Sequence, residues 1–93
     1  MSDAADEQAV PTLGRGVKFR FDDVRQSWVL LAPERLFAPD ETAVEVLKLV
    51  DGARTLGAII DTLAERFKAP RDLIRTDVAA MLGDLADKGA IRL

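Results

Sequence analysis

The sequence predicts an α+β fold of the winged-helix type, in which a three-stranded antiparallel sheet precedes a three-helix bundle. Residues 16–38 read as short extended segments separated by turn formers, and residues 40–89 carry three stretches of apolar residues at helical spacing. A chain of 93 residues normally forms one domain. We expect this domain to occupy residues 15–93. Residues 1–14 are small, polar and acidic without a period, which predicts a disordered tail or linker.

The first two extended segments form a predicted hairpin. Residues 16–21 alternate apolar and cationic side chains and place three apolar residues on one face: Val17, Phe19 and Phe21. Polar turn formers at 22–27 reverse the chain, and residues 28–32 return as the second strand. We expect Trp28, the only tryptophan, to anchor the core. For residues 90–93 the sequence leaves two alternatives, a short extended segment or a cover over the core.

A third extended segment, residues 35–38, lies between Pro33 and Pro39. Proline has no N–H to give to a ladder, so the two prolines limit this strand to a few residues. A short strand at the edge of a sheet exposes backbone groups that a second peptide can complete. The sequence therefore predicts a peptide binder.

Three amphipathic helices follow the strands. Asp40 and Thr55 are predicted caps of the first two, and Pro70 suits the first turn of the third. Gly52, after Asp51, and Gly89 are predicted stops for the first and third helices. The predicted buried residues are Ala43, Val46, Leu47 and Val50 in the first helix, Leu56, Ile59, Ile60, Leu63 and Phe67 in the second, and Ile74, Val78, Met81, Leu82 and Leu85 in the third.

The amino-acid composition excludes several classes of catalytic mechanism. The chain has no Cys, His or Tyr, so thiolate nucleophiles, imidazole relays and Cys/His metal sites are absent. The acidic pairs Asp22-Asp23 and Asp40-Glu41 fit turn and cap roles better than a metal site. We predict a protein that is not an enzyme and uses no metal or cofactor.

The charges and apolar runs constrain the partners and the compartment. No apolar run approaches the roughly 20 residues that cross a bilayer, and no secretion signal is evident, so we expect a cytoplasmic protein that does not bind a membrane. The alternative function is a winged-helix nucleic-acid binder that uses its third helix. That helix carries three basic residues against four acidic ones between 71 and 88, a net charge of −1 that disfavours phosphate contact.

Four stretches of the chain resemble one known family: Gly-Val-Lys-Phe-Arg-Phe-Asp from residue 16, Trp-Val-Leu-Leu-Ala-Pro-Glu-Arg from residue 28, Thr-Ala-Val-Glu-Val-Leu-Lys-Leu-Val-Asp-Gly from residue 42, and Ile-Ile-Asp-Thr-Leu-Ala-Glu-Arg-Phe from residue 59. The chain is similar to the pyrroloquinoline quinone (PQQ) biosynthesis protein D family. The resemblance covers residues 15–93 and is most specific over 28–52.

The resemblance implies a small peptide chaperone. Such a protein binds the ribosomally made precursor peptide of PQQ and presents it to a radical S-adenosylmethionine (radical SAM) enzyme. The precursor is expected to add as a strand beside the third strand, in a groove shared with the third helix, which starts at Arg71. Self-pairing of the same edge gives a second possibility, so a monomer or an edge-paired dimer is expected.

The candidate peptide-binding residues are Arg35, Leu36, Phe37, Ala38, Arg71, Ile74, Arg75 and Val78. Leu36 and Phe37 are expected to dock the peptide, although an apolar pair beside a strand is also common in an ordinary core. Ile74 and Val78 are expected to face the core and the groove together. Arg71 and Arg75 lie one helical turn apart, which suits either carboxylates of an acidic peptide or a solvated face shared with Asp72 and Asp77. Both alternatives stay open.

Overall fold

The computed structural model describes residues 7–93 of the chain. Over that range it contains five short strands and three helices, which makes an α+β fold. In chain order the elements are β1 (Thr12–Leu13), β2 (Lys18–Asp22), β3 (Ser27–Ala32), β4 (Arg35–Phe37), α1 (Glu41–Leu47), α2 (Leu56–Phe67), α3 (Arg71–Asp87) and β5 (Ile91–Arg92).

The predicted three-stranded antiparallel sheet is confirmed, with the strand order β2–β3–β4. Leu30 in the central strand lies opposite Phe19 on one side and Phe37 on the other. Directly opposite residues share a face of the sheet, so these three side chains point the same way. Leu30 is fully buried, and this face is therefore the one that covers the helices.

The tail predicted over residues 1–14 is wrong for residues 7–14, which lie against the domain. β1 pairs antiparallel with β5, with Leu13 opposite Ile91. Pro11 is fully buried. Its few apolar residues, Ala9, Val10 and Leu13, recur at neither a strand nor a helix period, which is why the sequence pattern missed the segment. Residues 1–6 lie outside the described residues. We refer to residues 7–13 as the N-terminal strap.

Both alternatives for the C-terminal residues are realised at once. Ile91–Arg92 form β5, while Ala90 and Ile91 are buried in the core. Gly89 has φ +82°, so it ends α3 in the left-handed conformation that the sequence predicted. The Gly14 N–H donates to the Ala90 carbonyl at 2.8 Å, which joins the segment before β2 to the segment after α3.

The predicted caps of the first two helices are confirmed. The Asp40 carboxylate accepts the Ala43 N–H at 2.8 Å, and the Thr55 hydroxyl accepts the Ala58 N–H at 3.1 Å. α1 ends at Leu47, earlier than the predicted stop at Asp51-Gly52. After Leu47 the backbone bonds tighten, with the Leu49 N–H donating to the Val46 carbonyl at 3.0 Å and the Val50 N–H to the Leu47 carbonyl at 3.1 Å. Asp51 then organises a separate turn, in which its carboxylate accepts the Ala53 and Arg54 N–H groups at 2.9 Å.

The core lies where the sheet meets the three helices, and most of the predicted stripes enter it. Three aromatic predictions differ. Phe67 is 44% exposed and Phe21 is 40% exposed, because each stands at or next to the end of its element, where no other element covers it. Trp28 is half-buried outside the core cluster and stacks on Phe19, with ring centroids 4.8 Å apart.

No helix in residues 7–93 is both long and apolar enough to cross a membrane.

Candidate peptide-binding site

The outer edge of β4 is open along the described chain. β4 pairs with β3 on one side, and no strand of residues 7–93 lies on its other side. Pro33 and Glu34 form the two-residue turn between them, with Ala32 opposite Arg35 and Leu36 opposite Leu31. A two-residue hairpin normally closes on a pair that exchanges both backbone hydrogen bonds, and the next pair is not hydrogen-bonded. By this rule the N–H and C=O of Leu36 point outward.

A groove of about 350 Å³ lies between the start of α1, the end of α2 and one side of α3. We call it the α3 groove. Its floor is apolar, and its rim carries the carboxylates of Asp40 and Asp77. The complete lining is Asp40, Thr42, Ala43, Val46, Leu63, Phe67, Ile74, Asp77, Val78 and Met81. This composition suits apolar side chains of a ligand whose backbone stays at the rim.

The groove and the β4 edge are neighbours. Asp40, three residues after the end of β4, lines the groove. Phe37 of β4 and Ile74 of α3 both pack, half-buried, against the same core cluster. Neither β2 nor β4 itself contributes a lining residue to this groove, but β4 leads directly into Asp40 at its rim, whereas Phe21 of β2 lines a different depression. Of the two sheet edges, β4 is the one that the chain connects to the α3 groove.

Six of the eight predicted site residues lie on β4, just after it, or in the groove. Ile74 and Val78 line the α3 groove. On β4, Leu36 is 43% exposed on the face away from the core, whereas Phe37 is half-buried against the core. The Arg35 guanidinium carbon lies 5.2 Å from the centroid of the Phe37 ring, and Ala38 is exposed. Leu36 therefore has the exposure that a docking residue needs, while Phe37 mainly supports the strand.

Arg71 and Arg75 are not among the groove residues. Both bind Glu7 of the N-terminal strap: Arg71 Nη2 donates to Glu7 Oε1 at 2.6 Å, and Arg75 Nε lies 3.0 Å from Glu7 Oε2. Arg71 Nε also donates to Asp61 of α2 at 2.6 Å. Neither alternative proposed from the sequence included these partners, because Glu7 was assigned to a tail.

The network shifts the ionisation of its members. The hydrogen bond from Arg71 is the largest of the effects that hold the pKa of Glu7 below its ordinary value of 4.5, and the charges of Arg71 and Arg75 add to it. The hydrogen bonds to Glu7 and Asp61 raise the pKa of Arg71 further above its ordinary value. Glu7 and Arg71 are therefore both charged at neutral pH.

Sequence reasoning missed several groove residues because it assigned them to the core. Met81 lies three residues after Val78 and seven after Ile74, so it continues the same face of α3. Phe67, at the end of α2, also lines the groove. Apolar periodicity identifies a face that avoids water, but it does not separate a packed core from an open groove.

The acidic pairs take the roles that the sequence predicted. Asp22 accepts the N–H groups of Val24 and Arg25 at 2.9 and 3.2 Å, as a turn former does. Asp40 caps α1. Within the part of the chain that the structure describes, no group of three or more possible metal ligands occurs.

A second, shallower depression of about 750 Å³ lies on the other side of α1. Its apolar wall includes Phe21, Trp28 and Val44, and Lys48 Nζ lies 5.3 Å from the Trp28 ring centroid. Phe67 lines both this depression and the α3 groove. Phe21, Trp28 and Phe67 thus line one surface.

The chain matches the family model of coenzyme PQQ synthesis protein D (PqqD) over residues 27–91. A protein of Rhodopseudomonas palustris strain HaA2 that is named PqqA binding protein is 61% identical over 83 residues, which cover 89% of this chain and 81% of that protein. This match extends well beyond the groove and includes most of the domain.

Two solved structures share the fold. The solution NMR structure of the PqqD truncation of Methylobacterium extorquens PqqCD, described as a functional and stand-alone RiPP recognition element, has a TM-score of 0.75 and 48% identity, covering 90% of this chain and 89% of that chain. The crystal structure of PqqD from Xanthomonas campestris has a TM-score of 0.61 and 39% identity, covering 95% of this chain and 98% of that chain. Both similarities support the α+β arrangement described above.

Proposed function

Because the chain belongs to the coenzyme PQQ synthesis protein D family, we propose that it binds the ribosomal precursor peptide of PQQ and presents that peptide to a radical SAM enzyme. The relative that is 61% identical is named for binding PqqA, and a structural relative is described as a recognition element for such peptides. The observation that carries the proposal is the open edge of β4 beside the α3 groove.

The proposed mechanism is strand addition. The peptide lies along β4 and exchanges backbone hydrogen bonds with Leu36, whose N–H and C=O are free of β3 in the expected pattern. Alternate side chains of a strand point to opposite faces, so every second peptide side chain can enter the α3 groove. Ile74, Val78 and Met81 then supply the apolar contact, and the backbone supplies the hydrogen bonds.

The remaining predicted site residues take supporting roles in this proposal. Arg35 and Ala38 flank the receiving residue, and Phe37 fixes β4 on the core. Arg71 and Arg75 do not line the groove, and both are paired with Glu7. We therefore do not assign peptide carboxylates to them.

The chemistry of PQQ formation is assigned to the partner enzyme. Iron–sulfur clusters are held mainly by Cys thiolates, and this chain contains no Cys. The proposed role of the protein is to hold the peptide in an ordered conformation, so that the enzyme meets a preorganised substrate. The cytoplasmic location predicted from the sequence remains a prediction.

Titration of isotope-labelled protein with the precursor peptide tests the placement. We expect saturable amide shifts at residues 35–38 and 74–81. Shifts confined to the exposed face of α2, with none in those two segments, would overturn the site. Isothermal titration with and without the radical SAM enzyme then measures whether the enzyme and the peptide bind together, and a peptide affinity that the enzyme leaves unchanged, with no ternary complex, would contradict presentation.

Self-pairing of β4 is a competing use of the same edge. An edge-paired dimer occupies the backbone groups that the peptide needs, so peptide and second copy exclude each other. Sedimentation of the free protein over a range of concentrations, repeated with saturating peptide, distinguishes them. We expect any dimer to dissociate when the peptide binds.

A further inference from the structure

We infer that Glu7 is a positioning residue for the peptide site, which sets the α3 wall of the groove without touching the groove itself. The inference rests on the proposed function for its consequence, but its structural part concerns the free protein. The N-terminal part of α3 is weakly attached to the rest of the fold. The only fully buried residues of this helix are Val78 and Leu82, both beyond its second turn.

The first two turns of α3 have little else to hold them. Pro70 at the N-cap makes no side-chain hydrogen bond to the helix. Leu73 is 61% exposed, and Ile74 is half-buried with one side toward the groove. Helical turns with few buried side chains open more easily than the rest of a fold. These turns nevertheless supply Ile74 and Asp77 to the α3 groove.

The carboxylate of Glu7 makes the missing attachment. It lies between the two arginines of these turns, with Arg71 donating to both of its oxygens, at 2.6 and 3.1 Å, and Arg75 lying 3.0 Å from Oε2. A carboxylate held by the fork of one guanidinium and by a second cation forms a more directional contact than a single surface pair. Arg71 also reaches Asp61, so the network joins α3 to α2 as well as to the strap.

The strap is itself fixed to α2, so Glu7 is anchored. The Leu56 and Gly57 N–H groups, at the first turn of α2, donate to the carbonyls of Ala9 and Glu7, each at 2.8 Å. These are donors that a helix cannot satisfy internally. A Cβ on Gly57 would lie only 3.1 Å from Glu7 Oε1, so the absence of a side chain there lets the strap approach closely.

Together these contacts attach the N-terminal turns of α3 to α2 through the strap. The strap is held to α2 by its backbone, and its one carboxylate holds the first turns of α3. Loss of the charge should free those turns while the strap stays in place. The groove wall formed by Ile74 then becomes mobile. Ordering this wall when the peptide binds costs free energy, which weakens the affinity.

The test compares Glu7→Gln with wild type and with the matched control Glu65→Gln, which removes an exposed carboxylate of α2 outside the network. Glu7→Gln keeps the backbone contacts of the strap. In the free protein we expect faster hydrogen exchange at amides 72–77, with exchange at 80–87 and in α2 unchanged. The Kd for the precursor peptide should rise about 3- to 10-fold, as for loss of partly exposed charge-assisted hydrogen bonds.

The conservative variant Glu7→Asp should restore part of the exchange protection and part of the affinity. Equal exchange in wild type and Glu7→Gln would overturn the inference, as would uniform loosening of all three helices. Faster exchange at 72–77 without any change in Kd would overturn the link to the groove. If wild type binds no peptide, the proposed function and that link both fail, while the exchange comparison still decides the structural part.

Discussion

Leu36 lies directly opposite Leu31 in the β3–β4 ladder and has no strand on its other side in residues 7–93. Its side chain is on the face away from the core, and its backbone groups point outward if the hairpin follows the usual pattern. One residue thus combines an exposed apolar side chain with a free donor and acceptor. This combination is why we propose β4, the shortest strand of its sheet, as the receiving strand.

Leu36→Pro should weaken peptide binding while leaving the fold intact. Proline removes the outward N–H, which contributes about 0.5–1.5 kcal/mol when paired, so Kd should rise by a factor of about 2 to 12. An edge strand tolerates proline where the N–H faces solvent. Isothermal titration gives Kd, and thermal unfolding gives stability. A folded Leu36→Pro variant with wild-type affinity would contradict the assignment.

Phe37→Pro is the matched comparison for that variant. The N–H of Phe37 is expected to pair with β3, so proline there breaks the ladder and also removes a ring that packs on the core. We expect a loss of stability of about 2 kcal/mol or more. Denaturant unfolding measures it. Equal stability of the Leu36→Pro and Phe37→Pro proteins would mean that the expected hydrogen-bond pattern is wrong.

Ile74→Glu and Leu73→Glu compare two adjacent apolar residues of α3. Ile74 lines the groove, whereas Leu73 is 61% exposed and does not. A carboxylate in the apolar groove should raise the peptide Kd by about tenfold or more, from lost apolar contact and from desolvation of the charge. Leu73→Glu should bind like wild type. Similar affinities for the two variants, each shown to be folded by circular dichroism, would remove the groove from the binding site.

The sequence predicts much of this fold because most local signals agree with the packing. The caps at Asp40 and Thr55 and the left-handed stop at Gly89 depend on short-range geometry, which the residue types report directly. The stripes of α2 and α3 enter the core as expected, apart from Phe67 at the end of α2. These features need no knowledge of distant parts of the chain.

What the sequence does not predict depends on distant contacts. Glu7 binds Arg71, 64 positions later in the chain, and no local sequence pattern around Glu7 indicates this partner. Phe21 and Phe67 follow the apolar period of their elements but extend beyond the packed interface. The candidate residues on β4 and α3 came mainly from family resemblance, because periodicity alone does not identify an open edge or groove.

Gly14→Ala tests whether the N-terminal segment belongs to the domain. A Cβ at Gly14 would collide with the Gly89 carbonyl oxygen, which belongs to the backbone and cannot rotate away. The β1–β5 pair must then separate, and we expect a loss of about 1–3 kcal/mol in the free energy of unfolding. Arg15→Ala, at an exposed neighbour, should have little effect. Wild-type stability of Gly14→Ala would contradict the packing of this segment.

Acid should loosen the first turns of α3 before the whole fold. Because hydrogen bonding to Arg71 lowers the pKa of Glu7 in the folded protein, this carboxylate stabilises the structure fully above about pH 4.5. Its contribution is lost as the pH falls through the lowered folded pKa. Arg71, whose pKa is raised, keeps its charge throughout; Arg75 also faces Glu7, and Asp61 faces Arg71 from α2.

Hydrogen exchange at amides 72–77, corrected for the intrinsic pH dependence, measures this loosening. We expect protection to fall below pH 4.5 in wild type, whereas Glu7→Gln should show no such step. The comparison also separates Glu7 from Asp51, whose pKa is lowered by the Arg54 and Ala53 N–H groups in another turn. Identical pH profiles for wild type and Glu7→Gln would exclude Glu7 as the titrating group.

The most direct measurement of strand addition is hydrogen exchange at the Leu36 amide with and without saturating precursor peptide. In the free protein this N–H is expected to face solvent and to exchange quickly. Bound peptide should protect it, while the Ser27 amide, at the far end of the neighbouring strand, changes little. If Leu36 exchanges at the same rate when the peptide is fully bound, the peptide does not add to β4.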